Sequence, residues 1–273
     1  MMKRRKCSLR KRATALVLLL ASSLLVHAHE FWMQAEKYIL KPGENLLISY
    51  KVGENFIGNP VSLKKDRVEK LEIHHLQNVK NLKGLVKEGD KENITLPMNE
   101  EGTHMVVMQS TSTFVEMQAD TFNAYLEEDG LDDIYALREK TNTLNKDSKE
   151  FYSRHTKLLV QVGSKADDTF KKTAGLPIEI IPMKNPYALK VGDRLTFKVL
   201  WQGKPLFGAL VRVWNRYNNR TTQQNIYALQ DGTIEARITS PGPWMVSVVK
   251  MVPSKDPKAD YQSYWGSLVF GIQ

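Results

Sequence analysis

The chain has little of what most catalytic or disulfide-built proteins need. Cys7 is the only cysteine among 273 residues. A lone thiol excludes an internal disulfide and a thiolate zinc site. The one long uncharged apolar run, Ala13 to Val26, is too short for a comfortable membrane span of about 20 residues. The sequence contains no G-x-S-x-G, no H-E-x-x-H and no phosphate-cradling glycine loop. Acidic pairs such as Glu127-Glu128 and Asp132-Asp133 flank short helical patterns and read as solvated faces. Nothing here points to hydrolysis, and no enzyme activity is expected. A basic stripe with interleaved aromatics is also absent, so nucleic acid is not an expected partner.

What is present begins at the N-terminus. Lys3, Arg4, Arg5, Lys6, Arg10, Lys11 and Arg12 precede the apolar run, and Val26-His27-Ala28 follows it with small residues at the −3 and −1 positions. This layout predicts a secretory signal peptide over residues 1–28, cleaved after Ala28. The mature chain then starts His29-Glu30-Phe31-Trp32, and Cys7 leaves with the signal, so no disulfide partner exists. The charge changes too. The whole chain carries a formal +9, but removing seven basic residues from the total of 39 leaves 32 against 30 acidic ones. The basic balance belongs mostly to the leader, and the mature protein is expected to be periplasmic.

The remaining pattern predicts a mainly β protein with two β-sandwich-like domains, at residues 29–170 and 171–273. In the first, "KYILKPGENLLISYKVG", "VEKLEIHHLQ" and "GTHMVVMQS" read as strands, the first with a Pro42-Gly43 turn. Helical spacing of Phe122, Tyr125, Leu126, Ile134 and Leu137, broken at Asp129-Gly130, predicts a helical insertion at about 117–154. In the second, "LPIEIIP", "DRLTFKVLW", "ALVRVWNR", "GTIEARIT", "WMVSVVKMV" and "YWGSLVFGI" are short strands separated by Gly, Pro and Asp turns. That is the pattern of a small antiparallel sandwich.

Two resemblances follow from particular motifs. "WQGKPLFGALVRVW" and "LQDGTIEARITSPGPWMVSV" resemble the immunoglobulin-like modules of carboxypeptidase-regulatory and cell-surface proteins. Across residues 28–273, "AHEFWM", "KPGENLLISYKVGENF", "EEGTH", "DTFNAYLEEDGL", "FYSRHTKLLVQVG" and "SYWGSLVFG" resemble a family of exported bacterial proteins of unknown function, grouped as periplasmic components of nickel uptake and cobalt transport. The resemblance implies export, two-domain β architecture, a role with divalent transition metals and a membrane metal transporter as partner.

The metal donors available to the mature chain are imidazoles, carboxylates, thioethers and the amino terminus. Its histidines are His29, His74, His75, His104 and His155. His29 can chelate through its imidazole and its own α-amine, whose pKa of about 7.7–8.0 makes deprotonation inexpensive near neutrality. His104 and His155 begin strand patterns, so they are the candidate further ligands for nickel, cobalt or copper. His74 and His75 are strand neighbours, point to opposite faces, and read as surface. The methionines form no Met-x-x-Met array and read as flexible core filler. Two other functions stay open. One is an exported interaction or glycan-binding module without metal. The other is a copper protein with a histidine brace. The leader reading is checked by mass spectrometry of the exported protein, which should begin at His29; a retained residue 1–28 segment would make it an anchored protein.

Overall fold

A computed structural model describes residues 30–87, 89 and 94–273. In chain order the strands are β1 (Glu30–Ala35), β2 (Ile39–Leu40), β3 (Glu44–Glu54), β4 (Ile57–Val61), β5 (Val68–His75), β6 (Asn78–Asn81), β7 (Ile94–Met98), β8 (Gly102–Ser110) and β9 (Thr113–Met117). Two helices follow, α1 (Ala119–Glu128) and α2 (Asp132–Lys140). Then come β10 (Ser148–Val162), β11 (Ile178–Pro182), β12 (Arg194–Trp201), β13 (Lys204–Pro205), β14 (Leu210–Tyr217), β15 (Arg220–Tyr227), β16 (Thr233–Arg237), β17 (Gly242–Pro253) and β18 (Tyr261–Ile272).

The protein is mainly β, as the alternation predicts. A ten-stranded central sheet runs β15-β14-β17-β18-β10-β8-β5-β6, with β2 and β9 also paired to β10. Two four-stranded sheets accompany it, one of β1, β3, β4 and β7, the other of β11, β12, β13 and β16. Successive side chains of a strand point to opposite faces, and the cores sort accordingly. Val106, Met108, Leu158 and Val160 pack with Trp32, Leu46 and Ile48 of the first small sheet. Their neighbours Met105, Val107 and Leu159 pack with Ile178, Leu195 and Phe197 of the second. The helices bury Phe122, Leu126 and Ile134 against Val249, Met251 and Tyr261.

Three details differ from the pattern read in the sequence. The expected antiparallel pairing fails at the centre, where β10 runs parallel to β18 from Glu150↔Tyr261 to Leu158↔Val269. The helical insertion ends at Lys140, and residues 148–154, expected within it, already belong to β10. The break between the helices is where it was expected: Gly130 has φ +65°, and Asp129 caps α1. The central sheet takes strands from both sides of residue 170, so the two halves of the chain meet through main-chain hydrogen bonds.

Because β10 is covered on both faces, its polar residues need internal partners. Lys157 is 1% exposed. Its Nζ sits 2.5 Å from Glu179 Oε1 and donates to the carbonyls of Lys172 and Ile180 at 3.2 and 3.3 Å. Breaking such a pair leaves a buried, uncompensated charge, which costs roughly 3–5 kcal/mol. Glu179→Gln should therefore lower the thermal midpoint strongly, and adding Lys157→Met to it should recover part of the loss. A calorimetric scan of the two variants checks this; no loss in Glu179→Gln would show the ion pair to be dispensable.

Glu150, on the same strand, accepts from Ser263 Oγ and from Tyr125 Oη through one oxygen, while its Oε2 has no partner. Burial pushes its pKa from 4.5 to about 7. A carboxyl raised in the folded state stabilises fully below the unfolded value, and that stability is lost as pH rises through the folded one. Stability should fall between about pH 4.5 and 7. Glu150→Gln should remove that slope, gaining on the order of 1–3 kcal/mol over the native protein at pH 8. Denaturant unfolding at pH 4.5 and 8 decides it, and parallel pH profiles would count against the burial argument.

Candidate functional site

The described histidines occupy three separate places in the fold. β8 runs antiparallel to β10, with Val160 opposite His104 and Leu159 opposite Met105. His104 therefore faces the first small sheet. His155 shares the parity of Leu159 and faces the second. Five residues of strand separate His155 from Val160, about 16 Å at ~3.3 Å per residue. The fold thus does not bring His104 and His155 together. His155 is a core residue, with Nε2 3.0 Å from Ser153 Oγ and its ring stacked on Tyr264 at 5.8 Å. Burial pushes its pKa down to about 4, so it is neutral at ordinary pH.

His29 lies outside the described residues. Glu30, the first described residue, is buried, and its carboxylate stands 3.8 Å from Arg212 Nη1. Arg212 also bonds Asp129 and the carbonyl of Glu128 at the end of α1. Burial raises Glu30 to about 7 and Asp129 to about 6. Arg212 belongs to β14, four strands from β8 in the central sheet, or about 19 Å at ~4.8 Å per step. The Glu30 cluster and His104 are therefore distinct locations.

The residue that the fold does bring to His104 is His75, which the sequence pattern assigned to the surface. β5 pairs with β8 so that Ile73 opposes Val106 and His74 opposes Met105. The next step places His75 against His104, with ring centroids 4.1 Å apart and planes 10° from parallel. Both are buried, at 7% and 6% exposure. His74 points the other way, as alternation requires, and bonds Glu72 Oε2 at 3.0 Å. It is also buried, because both faces of the central sheet are covered.

Main-chain carbonyls orient the two rings. His75 Nδ1 is 3.1 Å from the Thr103 carbonyl oxygen, and His104 Nε2 is 2.8 Å from that of Glu100. A carbonyl only accepts, so each of these nitrogens carries the proton. Neutral rings then present lone pairs at His75 Nε2 and His104 Nδ1. The Thr103 amide donates to Asp167 Oδ2 at 2.8 Å, which fixes the start of β8. Gly102, at φ +133°, makes the arrangement fit: a Cβ there would come within 2.1 Å of Asp167 Oδ2 and 2.8 Å of His75 Cε1. Burial and the neighbouring His75 hold His104 below its ordinary pKa, against the opposing effect of the Glu100 carbonyl.

The Glu100 carboxylate completes the group. Its Oε2 is 3.5 Å from His75 Nε2. When His75 is neutral, both atoms are acceptors, and a cation between them resolves the conflict. That cation is a proton or a metal ion. With metal–ligand bonds of about 2.1 Å, two ligands of one tetrahedral ion stand roughly 3.4 Å apart, close to the observed separation. The spacing of this one pair, His75 Nε2 and Glu100 Oε2, is therefore compatible with two ligands of a divalent ion. Among the described residues no group of three or more His, Cys, Asp or Glu is placed so that it could hold a metal ion. The cluster opens onto a cleft of about 350 Å³ walled by Ile73, Val79, Lys80, Leu82 and Leu96.

No curated protein matches the chain. Solved structures with a distant likeness include an α-2-macroglobulin mutant (Y1175G) from Salmonella, at 12% identity and TM-score 0.23, covering 88% of this chain and 14% of that one. Elastase-activated α-2-macroglobulin from Escherichia coli gives 10% identity and TM-score 0.21, over 88% of this chain and 20% of that one. Dimeric latent PorU from Porphyromonas gingivalis gives 10% and 0.18, over 93% and 21%. The chain thus spans about a fifth or less of these proteins, and likeness at such scores carries no functional argument. The family comparison is of another kind: residues 26–251 match the family described as Domain of unknown function (DUF4198), and the chain belongs to it.

Proposed function

We propose that this is an exported protein that binds a divalent transition-metal ion, nickel or cobalt by the resemblance described above, for delivery to a membrane transporter. The observation that carries the reading is the facing of two acceptors, His75 Nε2 and Glu100 Oε2, at 3.5 Å beside a second oriented imidazole. Imidazole nitrogen suits nickel, copper and zinc. The carbonyl partners of the two rings supply the outer hydrogen bonds that fix tautomer and direction in metal-binding histidines. His104 remains a candidate ligand, His75 takes the place given to His155, and Glu100 adds a carboxylate.

A second reading, an interaction module without metal, draws on an exposed apolar cluster at one end of the C-terminal half. Phe207 and Leu229 are 70% and 63% exposed there, on segments joined by the Gly208 to Ala228 main-chain bond. It requires nothing of His75 or His104.

Calorimetric titration of the mature protein with Ni(II), Co(II), Cu(II) and Zn(II) separates the two. His75→Ala and His104→Ala should each weaken binding of the preferred ion at least tenfold, whereas His155→Ala should leave it unchanged. Affinity should also fall as pH drops through the imidazole range, since protons compete for the same lone pairs. Equal affinity in all four proteins would remove the site and leave the interaction module as the better account.

A further inference from the structure

We propose that β15, an outer strand of the central sheet, is a dimerisation edge that takes the same strand of a second copy, antiparallel, about a twofold axis at Gln224. The inference stands apart from the metal reading and concerns the opposite flank of the sheet from His75. It starts from how sheet edges are protected. An exposed edge strand invites pairing with another chain, and proteins block it with charge, proline, shortness or cover. The other edges here carry such devices. β6 has four residues and Lys80, β2 and β13 have two residues each, and β4, β7 and β11 contain Pro60, Pro97 and Pro182. β9 carries Glu116, β1 is buried, and the side-chain amide of Gln224 bonds both the N–H and the carbonyl of Arg237 on β16. β15 has none of these: it runs eight residues, pairs β14 without a bulge, contains no proline or glycine, and carries no charge after Arg220.

Hairpin geometry says which groups of β15 are free. The turn Asn218-Asn219, with φ of 49° and 59°, joins it to β14 and closes on the Tyr217–Arg220 pair. In a two-residue hairpin of this kind the closing pair is hydrogen-bonded, and bonded pairs recur at every second residue. Arg220, Thr222, Gln224 and Ile226 therefore bond β14, and Ala228 keeps the parity by bonding Gly208 and Ala209. Thr221, Gln223, Asn225 and Tyr227 turn their N–H and C=O groups outward. Among the described residues, no hydrogen bond reaches these outward groups. Antiparallel pairing of two such edges joins odd residues to odd residues. A twofold at Gln224 sets Gln223 against Asn225 of the second copy, and Thr221 against its Tyr227. The pattern is self-complementary: amide meets amide, and Arg220 falls opposite Ala228 rather than another cation. At both ends the turn after the exposed Tyr217 comes beside the exposed Leu229 of the other copy. Gln223 and Asn225 also line the recess of Glu30 and Arg212, so the axis sets two such recesses side by side.

One added strand is a small interface, so association is expected to depend on concentration. Analytical ultracentrifugation of the mature protein from about 1 to about 200 µM should show monomer giving way to dimer and to nothing larger, because a twofold pairing closes on itself. Asn225→Pro removes one outward N–H and no bond to β14, a position where an edge strand tolerates proline. It should keep the far-ultraviolet circular dichroism of the native protein and lower the association constant at least tenfold. Charges test the register without touching the backbone. Gln223→Lys combined with Asn225→Lys sets lysine against lysine across the axis and should abolish the dimer. Gln223→Lys combined with Asn225→Glu sets opposite charges together in this register alone and should restore it. A protein that stays monomeric throughout the range overturns the proposal, as does a series of oligomers beyond two. So does an unchanged dimer in a folded Asn225→Pro or in the double-lysine variant, or a lysine–glutamate variant that fails to dimerise. Metal titration plays no part in these measurements, so their outcome leaves the metal reading where it stands.

Discussion

The structure depends on one strand that is buried on both sides. From His155 to Val162 every residue of β10 is buried, and that strand joins β8 on one side to β18 on the other. Lipid-like uniformity would satisfy such a position, yet half of its residues are polar. Each is accommodated by a particular partner: Lys157 by Glu179, Thr156 by Ser267, Gln161 by Thr103, and His155 by Ser153. Polar groups buried with partners can define register, because a one-residue slip would turn Lys157 away from Glu179 and into the opposite apolar layer. The parallel contact with β18 makes this strand the joint between the halves of the chain.

Much of this was legible before any coordinates. Period-two runs located β5, β8, β11, β12, β14, β16, β17 and β18, and the Asp129-Gly130 break separated the two helices. Strands that did not announce themselves fail for identifiable reasons. β15, "RTTQQNIY", is an outer strand of the central sheet with mostly exposed side chains, so it lacks an apolar face. β4 contains Pro60 and two exposed residues before it settles against β3. The start of β10, "SKEFYSR", resembles a helix end because its face is shared with the helical hairpin, where Glu150 meets Tyr125. The parallel pairing could not be read locally, since it joins residues more than a hundred positions apart.

The imidazole cluster shows the same limit more sharply. Alternation correctly separates His74 from His75, but it cannot say that a second layer covers each face. A histidine pair in a half-buried sheet is surface; in a doubly covered one it is structure or site. His155 has the opposite history. Its place at the start of an alternating run resembles that of His104, yet strand parity sends the two to different layers. One signal in the sequence did point toward the cluster. Gly102 stands directly before "THMVV", and a glycine at a strand start marks a close approach of other groups, here Asp167 and the His75 ring.

Location within the sheet then separates a site from a core residue. His155 lies in the middle of the sheet, with layers above and below, and its lowered pKa reflects enclosure without any compensating charge. His75 and His104 lie toward the other flank, on β5 and β8, where β6 is the last strand of the central sheet. There the first small sheet no longer closes over the face: Leu96 and Met98 of β7 form one wall of an open cleft, and Glu100 reaches into it with its side chain 71% exposed. On the proposed metal reading, an ion entering from solvent would meet the exposed Glu100 carboxylate before the imidazoles. The rings are held by main-chain carbonyls, whereas the Glu100 side chain is exposed. On the proposed metal reading, this division would suit a site that passes its ion onward: the fixed nitrogens would select the ion, and the exposed carboxylate would let go first.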